Sequence, residues 1–566
     1  MGFRTTMEST RPGPGIGVRA GSHRHGHTVA VGLLTAVTAA AYSVFVLAQY
    51  YTFRTAADDL VIFDQAVRGY SHFGAGVSIF IGYHLRFGPD FAIIADHWSP
   101  ILASLAPLYW IHNSPVTLLV AQAVLFALAI PPLWVFARRA LGGEKGGRKA
   151  VAGAYLVSVA YALSWPVASA LAFNFHEVAF APVLTAVALE RLQAGRLRTA
   201  LIALGVLLLV KEDMGLLVAG IGIYLAVARR HVVRRQRLVG IALIVAGVAF
   251  VWFATNVLIP ALGGHPDGYW SYSALGSNAP QAAWHLITHP ASLRLLVTPE
   301  VKLQTMLWLF GAFCFLPLRS PIALATIPLL LERMLANTSP NWWVTSFHYN
   351  AYLVVILACA AVDGAAGLDR WAAWIRQHLP VGGGAADGGA AEDGAPDRAV
   401  TGGAPLTASP ENLEPASQAA ATQGGTGFVA VACVAAMCAV ALFLVPRFAF
   451  GPALHPSFYH RNAQMNTIAA AERIIPSGVT VAAVNSIGSQ LSARDTVLLW
   501  DGDGGTPPLA APWVVANIRR KQFSFYTVQE QRQRVAFLER NGYRVMFMRG
   551  GYVVLHRVGP GAAAGH

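Results

Sequence analysis

The stretch TALIALGVLLLVKEDMGLLVAGIGIYLAVA, Thr199 to Ala228, decides the class of this protein. It is apolar on both sides of one charged triplet, Lys211, Glu212 and Asp213, with Arg198 before it and Arg229 and Arg230 after it. The pattern predicts two half-length helices meeting at a charged tip, and discontinuous helices of this kind in membranes commonly line a cavity. The composition agrees. Of 566 residues, 55% are hydrophobic and only 12% charged, whereas soluble domains carry about a quarter charged residues. Mean hydropathy is +0.49. The chain belongs in a bilayer.

Outward from that hairpin, apolar runs near the roughly 20 residues needed to span recur along the chain. They are Thr28 to Tyr50, Pro115 to Ala137, Ala150 to Leu171, Val178 to Leu189, Leu238 to Ile259, Leu303 to Leu318, Pro321 to Leu331, His348 to Val362 and Phe428 to Val445. With the hairpin they give about eleven membrane segments. The first run continues past Ala39, Ala40 and Ala41 to Val46 and Leu47, longer than a signal-peptide core, so it reads as a retained anchor.

Orientation follows from the basic residues, which collect in short cytoplasmic loops. A cytoplasmic N-terminus puts eighteen Lys and Arg inside, in the N-tail, 138–149, 191–198, 229–237 and at Arg319. The segments then left outside carry seven basic and eleven acidic residues. Nearly every carboxylate near the membrane thus faces the external side. The net charge of +13 is dispersed between apolar runs with no single basic face, which argues against nucleic-acid binding. Cys314, Cys359, Cys433 and Cys438 fall in apolar stretches without a metal-ligand spacing and read as packing.

The fold class expected is an all-α polytopic membrane protein with a small external α/β C-terminal domain. Residues 1–27 form a cytoplasmic tail, 28–366 the transmembrane domain with external acidic loops, 367–426 a low-complexity Gly/Ala/Pro/Asp/Glu linker on the cytoplasmic side, 427–446 the last span and 447–566 the external domain. In that domain Val479–Val484, Thr496–Trp500 and Trp513–Asn517 are strand-like, Val528–Asn541 is helical, and Tyr543–Val558 reads as a hairpin turning at Gly550 and Gly551.

Four constellations carry potential chemistry. The first external loop holds Asp58, Asp59 and Asp64, then Asp96 and His97. One of these aspartates is a candidate general base, against the plainer reading of solvated, helix-capping acids. Asp59 and Asp64 are about 140° apart on a regular helix, so only a bend would point them the same way. Asp64, preceded by apolar Ile62 and Phe63, is the first choice, with Asp59 its rival. His176 and Glu177 sit at an outer junction, as a polar dyad or a simple cap. Lys211 is a point charge suited to phosphate, with Glu212 or Asp213 beside it to hold the lysine or bind a metal. Arg333 and His348 flank the last external loop as further phosphate candidates, while Trp342 and Trp343 read as an interfacial belt. Asp96, His97, His176 and Glu177 also supply the donor types of a divalent-metal site, without fixing its geometry. DGDGG at 501–505 reads as a turn, and no Walker, GxGxxG, HExxH or GxSxG motif is present.

FDQAVRGY, DHWSPILASLAPLYW, FHEVAFAP, KEDMG and FHYNAYL, in this order, resemble the bacterial membrane-protein family known as domain of unknown function 2079, over most of residues 30–365 and the external tail. The resemblance implies a distant relation to the C-class (GT-C) membrane glycosyltransferases, which take sugars from polyprenyl-phosphate carriers on the external face. In that superfamily an acid of the first external loop is the catalytic base. Asp59 and Asp64 are the matching positions here, and the adjacent Asp58 leaves the register of the first acid open. The expected partners are therefore the bilayer, a polyprenyl-phosphate sugar and a cell-envelope acceptor. A transporter, lipid flippase or envelope scaffold is the rival class. The inserted cytoplasmic linker departs from the family pattern.

Overall fold

The computed structural model of the protein describes residues 17–143, 146–229, 232–265, 270–378, 427–502 and 504–558. The expected linker lies outside these from residue 379 onward, and residues 367–378 belong to a helix, Ala351–His378. Among the described residues six helices are, by length and composition, able to cross a membrane: Gly26–Tyr51, Pro115–Ala140, Gly147–Phe173, Gln236–Ala261, His348–Ile375 and Phe428–Arg447. This replaces the expected count of about eleven. The remaining apolar runs are too short or too broken. Val178 to Leu189 lies largely within the 14-residue helix Phe180–Gln193, which rises about 21 Å against the roughly 30 Å of a hydrocarbon core. Leu303 to Leu318 ends its helix at Gly311, and the left-handed backbone at Cys314 and Phe315 turns the chain. Pro321–Thr326 is a 3-10 segment that leads into the short helix Ile327–Leu335.

Burial separates the centre of the bundle from its rim. The helix His348–Ile375 has 83% of its apolar window buried, whereas Gly26–Tyr51 has 28%, Gln236–Ala261 22% and Phe428–Arg447 33%. The first therefore forms the core, and the other three present apolar faces outward, as lipid contact requires. Small residues permit the closest contacts. The helices Met214–Val227 and Gln236–Phe253 cross with Gly222 against the Gly240 carbonyl and Gly247 against that of Gly215, and a Cβ at either glycine would collide with that oxygen. The opening stretch is present as the helices Leu197–Leu207 and Met214–Val227, joined through Lys211, Glu212 and Asp213, but the two do not pair as the expected hairpin: Leu197–Leu207 packs on Phe180–Gln193 and Met214–Val227 on Gln236–Phe253.

The C-terminal region forms one five-stranded sheet of β1 (Thr480–Ala483), β2 (Thr496–Leu499), β3 (Trp513–Asn517), β4 (Tyr543–Arg549) and β5 (Tyr552–Arg557), in the order β2-β1-β3-β5-β4. β1 pairs parallel with β2 and β3, and β5 antiparallel with β3 and β4. The helix Val528–Arg540 lies between β3 and β4 in sequence. Positive φ at both Gly550 and Gly551 gives the tight turn of the β4-β5 hairpin.

This domain packs on the segment that follows the first span. The N–H groups of Ala57 and Asp58 donate to Asn485 Oδ1 at 2.6 and 2.8 Å, capping the helix Asp58–Ser71. Gln65 Nε2 donates to the Val497 carbonyl at 2.8 Å and Gln490 Nε2 to that of Tyr50 at 2.8 Å. Such contacts cannot pass through a bilayer, so the first loop and the sheet domain share one side of it.

Candidate functional site

Four ionisable side chains from three separate segments meet at that same side. Asp59 lies in the first turn of the helix Asp58–Ser71. His176 and Glu177 follow the helix Trp165–Phe173, after Asn174 adopts φ 115° and turns the chain. Lys211 lies in the break between the helices Leu197–Leu207 and Met214–Val227. His176 Nε2 is 3.5 Å from Asp59 Oδ1, His176 Nδ1 is 2.9 Å from Glu177 Oε2, and Lys211 Nζ is 3.4 Å from Glu177 Oε1. The result is a row of alternating charge. Burial works against a charged His176, but Glu177 and Asp59 outweigh it and push its pKa up to about 9. Burial likewise opposes ionisation of Glu177, yet Lys211 and then His176 hold it well below the usual range. Lys211 is kept charged against burial by Glu177, Asp213 and Glu212. Partnering of this kind lets charges persist where water is scarce.

His348 completes the group. Its ring stacks on that of His176, with centroids 3.5 Å apart and planes inclined by 26°, and the side chain is 3% exposed. Both its ring nitrogens are buried without a hydrogen-bond partner, which is costly unless something else meets them. Asn350 Nδ2 and Asp213 Oδ1 are in the same condition. On the flank, His97 Nδ1 and Glu212 Oε1 are 2.8 Å apart, and the Trp98 N–H donates to Glu212 Oε2 at 3.0 Å.

Residues 49–379, more than half of the chain, match the family described as "Predicted membrane protein (DUF2079)". The chain belongs to this family. No curated protein matches it. The DUF2079 segment contains every residue of the cluster and ends before the sheet domain, so the domain that caps the helix bearing Asp59 lies outside the matched stretch.

The remaining candidate residues of this DUF2079 protein are placed elsewhere. Asp64 points away from Asp59, as a regular helix dictates. It is 0% exposed and accepts from Tyr109 Oη at 2.7 Å, from Arg68 Nη2 at 2.8 Å and from Ser492 Oγ. Burial raises its pKa, opposed by Arg68, Ser492 and Tyr109. Arg333 is buried, and its guanidinium donates to the carbonyls of Trp342 and Tyr349 and to Asn350 Oδ1, holding the last loop in place. Asp96 is beside His97 and acts on it electrostatically. Among the described residues no set of three or more His, Cys, Asp or Glu side chains is arranged to hold a metal ion.

Two further residues emerge from the geometry. Asn350, two positions after His348, links Arg333 to the centre, and the polar run HYN at the start of an apolar helix was its signal. Asp58 is pushed up to about 7 by burial and by Asp59, so it titrates near neutrality beside the candidate base. The paired acids at 58 and 59 were visible in sequence, but burial of the first was not.

Proposed function

We propose that this protein is an integral-membrane transferase that moves a sugar from a polyprenyl-phosphate carrier to a cell-envelope acceptor at the external face. The observation that carries the reading is the buried row Asp59, His176, Glu177 and Lys211, ending on His348 with two unpartnered nitrogens, at one end of the bundle. A carrier phosphate brings negative charge, and the row offers two cations with fixed positions to meet it. Asp59, 23% exposed at its side chain, takes the acceptor hydroxyl proton. The acceptor oxygen bonds to the anomeric carbon as the bond from that carbon to the phosphate oxygen breaks, and the electron pair leaves with the lipid phosphate. Lys211 faces that leaving group, and His348 offers one nitrogen to a sugar hydroxyl or phosphate oxygen. Asp59 replaces Asp64 as the favoured base because Asp64 has both oxygens engaged and none exposed. The transporter reading asks for a polar path through the spans, whereas this row gathers at a single end.

The test is a mass spectrum of lipids that co-purify with the protein. A polyprenyl-phosphate sugar bound to the wild type and depleted in Lys211→Ala is the expected result. Ordinary phospholipids alone, unchanged by the substitution, would count against the reading.

A further inference from the structure

The face of the bundle remote from this cluster carries a second built site. The membrane-crossing helix Pro115–Ala140 passes the cluster at Gln122, whose Oε1 accepts from the His176 N–H at 2.9 Å, and its far end meets the Gln193 end of the helix Phe180–Gln193. Between them is a cleft of about 420 Å³ lined by Val135, Arg139, Glu190, Arg191, Gln193 and Arg196. Glu190 is 1% exposed and organises the cleft. Arg139 Nη2 donates to Glu190 Oε1 at 2.9 Å, Arg139 Nη1 to Gln193 Oε1 at 2.9 Å, and Arg191 Nε to Glu190 Oε2. Two guanidinium groups are thereby held in place while remaining 39% and 30% exposed. One carboxylate cannot neutralise three arginines, so the cleft keeps a surplus of positive charge. Arg138 adds another cation close by, over the Trp134 ring. The next helix, Leu197–Leu207, exposes Leu201 and Ile202, so the cleft adjoins a lipid-facing surface.

We propose that this cleft binds the phosphate of an anionic phospholipid headgroup in the leaflet opposite the reaction centre. Preorganised guanidinium groups suit a phosphate oxyanion, and a basic pocket between membrane helices at headgroup depth places them where such lipids are. The site is independent of the proposed transfer chemistry.

The experiment is native mass spectrometry of the full-length protein in detergent, offered equal phosphatidylglycerol and phosphatidylcholine. The wild type should retain phosphatidylglycerol preferentially. Arg196→Gln, at an exposed position where folding is little disturbed, should reduce that preference about fivefold, and adding Arg139→Gln should reduce it further. Arg237→Gln, a basic residue on another helix, should leave it unchanged. Equal retention of the two lipids, or an equal loss in Arg237→Gln, would overturn the site. Displacement of phosphatidylglycerol by millimolar inorganic phosphate would overturn the assignment to a lipid and leave a soluble phosphate as the ligand.

Discussion

Asp59 and Asp64 lie on one regular helix, and their five-residue spacing sends one to His176 and the other to Tyr109, Arg68 and Ser492. Their substitutions should therefore separate. Asp59→Asn should lower transfer by roughly a hundredfold or more with little change in melting temperature. Asp64→Asn should lower stability by about 1–3 kcal/mol, because a buried charged network loses its anion, and should preserve most turnover per folded molecule. Thermal melts and a transfer assay on both variants check this, and a dead but fully stable Asp64→Asn would return the role of base to Asp64. His176 gives a pH signature. Its folded pKa, about 9, stands above the usual value near 6.5, so its stabilising effect is complete below about pH 6.5 and is lost as pH rises through 9. Asp58, raised to about 7, loses stability in the same direction at lower pH, and Lys302, lowered to about 8 by burial, gains stability above about pH 8, so the histidine is isolated by the difference between wild type and His176→Gln. Above about pH 8 the melting temperature of the wild type should fall relative to that of His176→Gln, and parallel profiles would contradict the assignment. The residue types of this site were legible because charges in apolar surroundings are conspicuous. Their partners were not, because Asp59 and His176 are brought together only by tertiary packing.

At the scale of elements, the sheet domain was the most legible part. Strands β1 to β3 fall within or on the apolar runs that suggested them, and the hairpin turns at the two glycines expected of it. Its docking left no local trace, since Asn485 and Ala57 are 428 residues apart. The membrane segments were less legible, because an apolar run of eleven to sixteen residues does not reveal whether its helix crosses, stops short or breaks, as happens beyond Gly311. Asn485 provides the element-scale prediction. It caps the helix that carries Asp58 and Asp59, so Asn485→Ala should cost about 1 kcal/mol and loosen the domain from the first loop. Limited proteolysis should release the sheet domain sooner in the variant, and unchanged digestion would show that the cap is dispensable.

The whole molecule is a membrane bundle with its charged cluster and its sheet domain on one side. The arginine-rich loops assign that side to the exterior, a proposal that labelling can decide. In intact cells, with the four native cysteines replaced, a cysteine introduced at Ser457 should react with an impermeant reagent and one at Ser409 should not. The reverse pattern would place the cluster in the cytoplasm. The central claim is that the buried row from Asp59 to His348 is a centre for transfer from a lipid-linked phosphate, and the most direct measurement is turnover in proteoliposomes supplied with a polyprenyl-phosphate sugar and an acceptor extract from the cell envelope. Wild-type protein should consume the donor and release polyprenyl phosphate, and Asp59→Asn and Lys211→Met, purified in folded form, should each reduce that release by roughly a hundredfold. Release at the wild-type rate by both variants would contradict it.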